Sequence, residues 1–364
     1  MPPFDEATAD FERWLGAQLT IVKADLKYKH EQMAADVFRF LRATFYRWAQ
    51  MFPIVCSELA AAPKVLAIGD LHVENFGTWR DIDGRLVWGV NDFDEAYPQP
   101  WPNDLVRLAA SVKLAIETNA LKIDPATAYK DIEDGYTEFI FTQGRPFVLA
   151  ERTHWLKLMA EEHLRDPVAF WEKIDALPRV SATIPPAARA LLLSSLPERT
   201  VELKIQSRRA GMGSLGRIRL VGSGMWRGGM IAREVKATAL SACIWATGTK
   251  ATRGKILIDE IRHKAVRCPD PVMRTQNGWI VRRLSPDCSK IDLAQMPKSE
   301  ERRVLHAMGR ETANIHLGSA SAIAQVRADL KKRQKQSPDW LANAAGSMAA
   351  QTRADWKVWQ AKVE

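Results

Sequence analysis

Cysteine is scarce in this chain of 364 residues: the four present, Cys56, Cys243, Cys268 and Cys288, form no C-x-x-C pair and are too few for a disulfide framework. Reduced, buried thiols are expected instead of a metal knot. No apolar run reaches the roughly 18 residues that suggest a bilayer span. The opening segment MPPFDEATADFERW carries acids where a signal peptide carries bases. A cytoplasmic address with no membrane partner is the resulting expectation. Internal repeats are missing, and a chain 46% hydrophobic and 26% charged is neither disordered nor collagen-like. At about 150 residues per domain, the length favours two lobes.

What the chain has in excess is positive charge, and it is concentrated. The net charge is +9, yet Arg199 to Lys290 alone holds 19 basic against 6 acidic residues, so the remainder is net acidic. An anionic partner for that segment follows.

Pattern and punctuation divide the chain into residues 1–62, 63–198, 199–291 and 292–364. In the first, Phe38, Leu41, Phe45 and Trp48 recur at helical spacing and Pro53 interrupts near the end, predicting two or three helices. In the second, a strand over Lys64–Ile68 meets Gly-Asp, and strands Phe76–Arg80 and Arg85–Val90 flank the turn Asp81-Ile-Asp-Gly84. A helix follows from Pro102, and helical patterns continue through Trp171. Prolines 178, 185, 186 and 197 flank a short Ala/Leu-rich helix and mark a boundary. The third stretch reads as a small antiparallel sheet: Val201–Ile205, Leu215–Val221, a turn over Gly222–Gly229, Met230–Lys236, a helix Gly254–Ala265, and a hairpin Val272–Leu284 about Asn277-Gly278. The fourth is helical, including Glu300–Leu317, with Lys331–Lys335 as a solvated face or frayed linker.

Chemistry concentrates in Gly69-Asp-Leu-His-Val-Glu-Asn75 and Val90-Asn-Asp-Phe-Asp-Glu95. Asx-turns closing loops would explain a lone Gly-Asp. Here Asp70 and Asn75 lie across one loop and Asp92 returns on a hairpin, so three oxygen-bearing side chains can converge, and hard oxygen donors suit Mg²⁺. Asp70 is the candidate catalytic base, with Asn75, Asp92 and Asp94 as metal ligands. Asp92 and Asp94 lie two apart and would share a strand face, so which one faces the metal stays open. Gly211-Met-Gly-Ser-Leu-Gly216 lacks the following helix of a dinucleotide fold. It sits instead in the order strand, glycine loop, strand, turn, strand, lysine that kinases use. Gly211, Gly213, Ser214, Gly216 and Lys236 are therefore candidates for holding the phosphates of ATP.

Asp-x-x-x-x-Asn followed by a hairpin and Asp-Phe resembles the catalytic and metal segment of aminoglycoside and choline phosphotransferases, distant relatives of protein kinases. Asp104 matches the aspartate that anchors their catalytic loop. Gly69-Asp-Leu-His-Val-Glu-Asn-Phe-Gly77, Asn91-Asp-Phe-Asp-Glu95 and Asp104-Leu-Val-Arg-Leu-Ala-Ala-Ser111 more closely resemble an uncharacterised bacterial family, domain of unknown function 2252. That resemblance extends to Met33–Thr44 and to the Gly-rich and Lys236 region. The resemblance implies an α+β, protein-kinase-like two-lobed fold, circularly permuted so that the catalytic segment precedes the Gly-rich β-lobe. It also implies a helix glutamate holding Lys236: Glu260, with Asp259 and Glu234 as rivals. The adenine connection would lie near Arg283–Pro286.

The expected activity is transfer of a phosphoryl, or else a nucleotidyl, group from ATP with Mg²⁺ to an unknown hydroxyl acceptor. Residues 121–198 are the candidate acceptor surface. A dimetal phosphoesterase using His72 is one alternative, although the six other histidines sit mostly in helical patterns. A nucleotide-sensing protein that transfers nothing is another. Nucleic acid is not the expected partner, since no module for it is present, and oligomeric state is open.

Overall fold

The computed structural model describes residues 2–149, 153–162, 166–180, 183–198, 202–249, 251–290 and 296–363. Val201, expected to open a strand, and Ile291, expected to close the third stretch, lie outside the described residues.

Five helices occupy the first stretch, where two or three were expected: α1 (Phe4–Gly16), α2 (Lys23–Ala35), α3 (Val37–Ala43), α4 (Phe45–Val55) and a single turn, α5 (Ser57–Ala60). Two of the breaks need neither glycine nor proline. Asp36 is extended (φ −157°, ψ 158°) and its carboxylate caps α3 by accepting the Arg39 N–H at 2.7 Å, while Thr44 (φ −125°, ψ 37°) leaves the helical region before α4. Pro53 is carried within α4 near its end.

Strands β1 (Lys64–Ala67), β2 (Phe76–Arg80), β3 (Leu86–Val90) and β4 (Tyr97–Pro100) follow, then α6 (Pro102–Glu117). Helix α6 is buried along nearly its whole length, and Asp104, Arg107 and Ser111 form a polar stripe at i, i+3 and i+7 on it. Next come α7 (Pro125–Ile140), the short β5 (Phe147–Val148), α8 (His154–Glu162), α9 (Pro167–Asp175) and α10 (Pro186–Ser194). Strands β1 and β4 pair in one antiparallel sheet and β2-β3-β5 in another.

The third stretch builds a five-stranded antiparallel sheet from β6 (Lys204–Ser207), β7 (Arg219–Trp226), β8 (Gly229–Ala237), β9 (Arg274–Gln276) and β10 (Trp279–Leu284), in the order β6-β7-β8-β10-β9. Helices α11 (Ala242–Ala246) and α12 (Ile258–Lys264) interrupt it. The turn expected over Gly222–Gly229 is confined to Arg227 and Gly228, both with positive φ; Gly222 lies within β7, where Leu192 and Leu203 pack against it. The strand expected at Leu215 begins at Arg219, after a single 3-10 turn at Met212–Ser214, and the helix expected from Gly254 begins at Ile258.

Cross-strand register puts Arg219 opposite Lys236, Val221 opposite Glu234, and Arg282 opposite Glu234. By the two-residue period, Arg219, Glu234, Lys236 and Arg282 all project from one face of the sheet. The other face is closed by Ala188, Leu191 and Leu192 of α10 on Leu220, Val235 and Val281. On the same face as Glu234, Phe170 and Ile174 of α9 cover Val221, Ala232 and Leu284. Helices α9 and α10, placed with the helical lobe by the sequence, thus pack on the sheet.

The chain ends in α13 (Lys298–His316), α14 (Ile323–Gln336) and α15 (Trp340–Val363). Within the Lys331–Lys335 run of α14, Lys331, Lys332 and Lys335 are exposed, whereas Arg333 pairs with Asp329 and Gln334 donates to Glu133 and Thr137. Helices α7 and α13 approach so closely that a Cβ at Gly135 would meet the His306 carbonyl oxygen at 2.0 Å and one at Gly309 that of Ile132 at 2.0 Å. The largest hydrophobic core draws on residues from Phe4 to Trp359 and joins all four stretches, the third through Ala239–Trp245, Ile258, Ile261 and Ile280. Among the described residues no helix is long and apolar enough to cross a membrane.

Glu311 of α13 is buried, accepting the Val90 N–H at 3.3 Å and Asn314 Nδ2 at 3.0 Å. Burial pushes its pKa up to about 7, against the opposing pull of Arg267. A carboxyl raised in the folded state binds more protons than in the unfolded chain, so its contribution is fully favourable below the unfolded value of about 4.3 and is lost as pH rises through 7. The melting temperature should therefore be higher at pH 5.5 than at pH 8. Glu311→Gln should reduce that difference; an unchanged pH dependence in the variant would clear Glu311 of it.

Candidate functional site

The loop carrying Asp70 is fastened from behind by the polar stripe of α6. Asp104 accepts the backbone N–H groups of Ile68 at 2.7 Å and Gly69 at 2.9 Å, and Ser111 Oγ accepts that of Val73 at 3.1 Å. Asp104 is itself met by His316 Nε2 at 3.1 Å, and His316 Nδ1 lies 2.9 Å from the Tyr136 hydroxyl. Asp104 and His316 are both fully buried. This chain fits an Nε2-protonated ring donating to Asp104 and accepting the Tyr136 proton.

Arg107, the remaining member of the stripe, donates to Asp70 Oδ1 from Nε at 3.0 Å and also from Nη2. The Asp70 Oδ2 atom faces Gly213, where a Cβ would lie 3.3 Å from it and 3.2 Å from the Arg42 carbonyl oxygen. A Cβ at residue 213 would crowd both atoms, which would have to give by a few tenths of an ångström. Burial raises the Asp70 pKa above the ordinary carboxylate value, in spite of Arg107.

Asn75 ties the two acidic segments together. Its amide nitrogen donates to the Asp70 carbonyl at 3.0 Å and the Asp92 carbonyl at 3.2 Å, while its Oδ1 accepts the Asp92 N–H at 3.0 Å. Expected as a metal ligand, Asn75 here braces backbone.

Asp92 and Asp94 meet Lys236 across some 140 positions of sequence, with Nζ 3.7 Å from Asp92 Oδ2 and 2.6 Å from Asp94 Oδ2. Arg217 Nη1 adds a contact to Asp94 at 3.1 Å. Asp94 is nine-tenths buried and its Oδ1 has no hydrogen-bond partner, whereas Asp92 is 41% exposed. Burial works to raise the Asp92 carboxyl, and Lys236 with Arg282 more than reverses this, holding it well below the usual range. Glu95, next along, is buried, accepts the Ala242 N–H at 2.7 Å, and is pushed by burial up to about 7.

The glycine segment closes over these groups. Asp70, Asn75, Asp92, Asp94, Gly211, Gly213 and Ser214 line one cavity of about 60 Å³; Gly216, at φ +95°, packs by Leu26 outside it. Ser214 Oγ accepts from Arg219 Nη2 at 2.8 Å. Glu260 does not reach Lys236: its carboxylate is held by Lys255 and, at 2.7 Å, by Lys264, on an outward face of α12. Asp259 instead pairs with Arg262 and Thr275, and Glu234 holds three arginines. A partner close in sequence has captured Glu260, and Asp94 takes the place the helix glutamate was expected to fill.

Several residues here are given no role by the sequence: Arg107 lies inside the Asp104–Ser111 motif without one, and Arg217 and Lys29 carry no motif. Buried Lys29 of α2 reaches the Gly213 carbonyl at 3.5 Å, and burial lowers its pKa to about 8. His72 lines the cavity, but burial drives its pKa well down and its Nδ1 accepts the Glu74 N–H at 3.2 Å, a loop-packing role. Among the described residues no three His, Cys, Asp or Glu side chains are grouped to hold a metal ion.

A family model described as an uncharacterised protein conserved in bacteria (DUF2252) matches residues 21–157 and 268–362. The match contains Asp70, Asn75, Asp92, Asp94, Asp104 and Arg107. The Gly-rich loop and Lys236, which the resemblance was expected to include, fall between its two parts. No curated protein and no solved structure matches the chain. With more than half of its length matched, including the whole Asp70 loop and the helix that fastens it, the chain belongs to the DUF2252 family.

Proposed function

We propose that this protein is a phosphotransferase that moves a phosphoryl group from ATP to a hydroxyl of a small acceptor, with Mg²⁺. The observation that carries the reading is the approach of Lys236 Nζ to Asp94 at 2.6 Å and Asp92 at 3.7 Å, near a glycine loop whose Gly213 abuts Asp70. Residues 70, 92–94, 211–214 and 236 have no local reason to meet, and phosphoryl transfer needs such a set.

In this reading the glycine-loop backbone and Lys236 hold the phosphates. The acceptor oxygen bonds to the γ-phosphorus, the bond to the bridging oxygen breaks to release ADP, and Asp70 Oδ2 takes the acceptor's proton. Mg²⁺ bound at Asp92 and Asp94 would neutralise phosphate charge. Two carboxylates and an unpartnered Asp94 oxygen suit an ion that takes its other ligands from phosphate and water.

The five-stranded sheet, with its glycine loop between the first two strands and its lysine on the third, corresponds in this reading to a kinase-like small lobe. The position of the Asp70 segment ahead of it corresponds to circular permutation, and the address is cytoplasmic. Arg107, which occupies Asp70 Oδ1, favours the second reading, a nucleotide-binding protein without transfer.

Mg-ATP at 100 times its dissociation constant should add roughly 2.7 kcal/mol of stability. A thermal-shift assay reads this directly. Lys236→Ala and Asp92→Asn should each shrink the shift, and an undiminished shift in both would place the nucleotide elsewhere.

A further inference from the structure

On the sheet side of Asp92 lies a second cavity, of about 190 Å³, that shares Asn75, Asp92, Gly211 and Lys290 with the first. Its wall is built by a rosette of arginines. Arg208, Arg219 and Arg282 all converge on the carboxylate of Glu234, at 2.5, 2.5 and 2.7 Å. Glu234 is fully buried, and the Arg219 side chain is only 3% exposed. Arg283 and Lys290 also line the cavity, and neither has an ion pair among the described residues.

Five cations thus face three carboxylates: Glu234, Asp92 and Asp270. Asp270 is already engaged, its Oδ1 accepting the Val272 N–H at 2.8 Å, and Asp92 is shared with Lys236. Burying guanidinium groups is costly unless each meets an anion. Glu234 meets that need for Arg208, Arg219 and Arg282; the two cations left over, half-buried Arg283 and exposed Lys290, stand at the cavity wall without an ion pair among the described residues, placed to meet an anion from outside. The planar fork of arginine matches phosphate oxygens in pairs. The connection expected to hold adenine begins at Arg283, so that end of the cavity offers guanidinium beside Met273 and Leu284.

We infer that this cavity binds an oligophosphate chain, and that the protein recognises its phosphoryl donor mainly through that chain and only weakly through the base. The inference deepens the proposed function and rests on that reading, with this cavity adjoining the Asp70 site through Asn75, Asp92 and Gly211. The chain could belong to a nucleoside triphosphate or to inorganic polyphosphate, and the test separates them.

The experiment is isothermal titration of the full chain, with Mg²⁺, using ATP, inorganic tripolyphosphate and adenosine. Tripolyphosphate should bind within about tenfold of ATP, and adenosine should show no measurable heat. Arg208→Gln and Arg282→Gln should each weaken tripolyphosphate about tenfold, the scale of one charge-assisted contact. Each variant leaves Glu234 with two arginines, so the fold should persist, and Arg208→Lys should recover part of the loss. Adenosine binding nearly as well as ATP would overturn the inference, as would both glutamine variants binding tripolyphosphate like the parent. Tripolyphosphate binding without ATP binding would support the oligophosphate site, with polyphosphate as its source, and count against ATP as donor. ATP binding without tripolyphosphate binding would keep the phosphotransferase reading and sink this one.

Discussion

Asp70→Asn is expected to lower turnover by about 10²- to 10⁴-fold, the usual contribution of a positioned general base, while Mg-ATP binding persists. The separation follows from the geometry. Asp70 Oδ2 faces the glycine loop at Gly213, whereas the proposed phosphate contacts come from the loop backbone and Lys236. The substitution should leave the fold standing. Asparagine keeps an acceptor for Arg107, which also donates to the Leu41 carbonyl at 2.9 Å and lies over the rings of Phe45 and Trp48 at 5.0 and 4.9 Å. ATP consumption with a cell extract supplying acceptors, measured beside a calorimetric nucleotide titration, checks both halves. Equal loss of affinity and turnover would make Asp70 a ligand or a structural residue. Clear binding with no turnover by the parent protein in any extract would favour the sensing reading.

The largest effect on stability is expected from Glu234→Ala. Removing one partner of a buried ion pair costs about 3–5 kcal/mol because the other charge is left uncompensated, and here three guanidinium groups are left. A domain with roughly 5–15 kcal/mol in hand would lose much of its folded population. Soluble yield and urea denaturation read the outcome, and a loss below about 1 kcal/mol would show that the arginines reach water or other anions easily. Although burial opposes it, Arg219, Arg282 and Arg208 hold the Glu234 carboxyl well below its usual range. Its contribution is therefore complete above the unfolded value, about 4.3, and is lost as pH falls below it.

How much of this could be read from sequence differs by residue, for physical reasons. The hairpin Phe76–Val90, helix α6, β8 and α13 were legible because their apolar periods are long and their ends carry Pro, Gly or Asp. The breaks at Asp36 and Thr44 were not, because a capping side chain and one non-helical residue make them. Glycines 222 and 224 read as turn residues, yet they stand in β7, and Leu192 and Leu203 take up the space at Gly222. Within the site, Asp70, Asn75, Asp92, Asp94 and Lys236 stood out through motif and strand order. Arg107 had a weaker signal, the stripe Asp104, Arg107, Ser111 on a helix otherwise apolar at its centre. Lys29 and Arg217 had none: they come from segments whose approach to the site is set by tertiary packing. Lys236's partner could not be read because the choice among Asp94, Glu234 and Glu260 depends on sheet register and on lysines 255 and 264.

Packed helices ordinarily slide past one another by small rotamer changes in the side-chain layer between them. At Gly135 and Gly309 that layer is missing, so α7 and α13 touch main chain to main chain and have no such slack. At those two points the pair is joined without an intervening side-chain layer. Tyr136 on one helix and His316 on the other are the two residues that reach toward Asp104, which grips the amides of Ile68 and Gly69. The placement of Asp70 is thus referenced to that pair, deep in the helical core. The opposite wall of the cavity, the glycine loop at Gly211–Ser214, has no such tie to the helical core among the described residues.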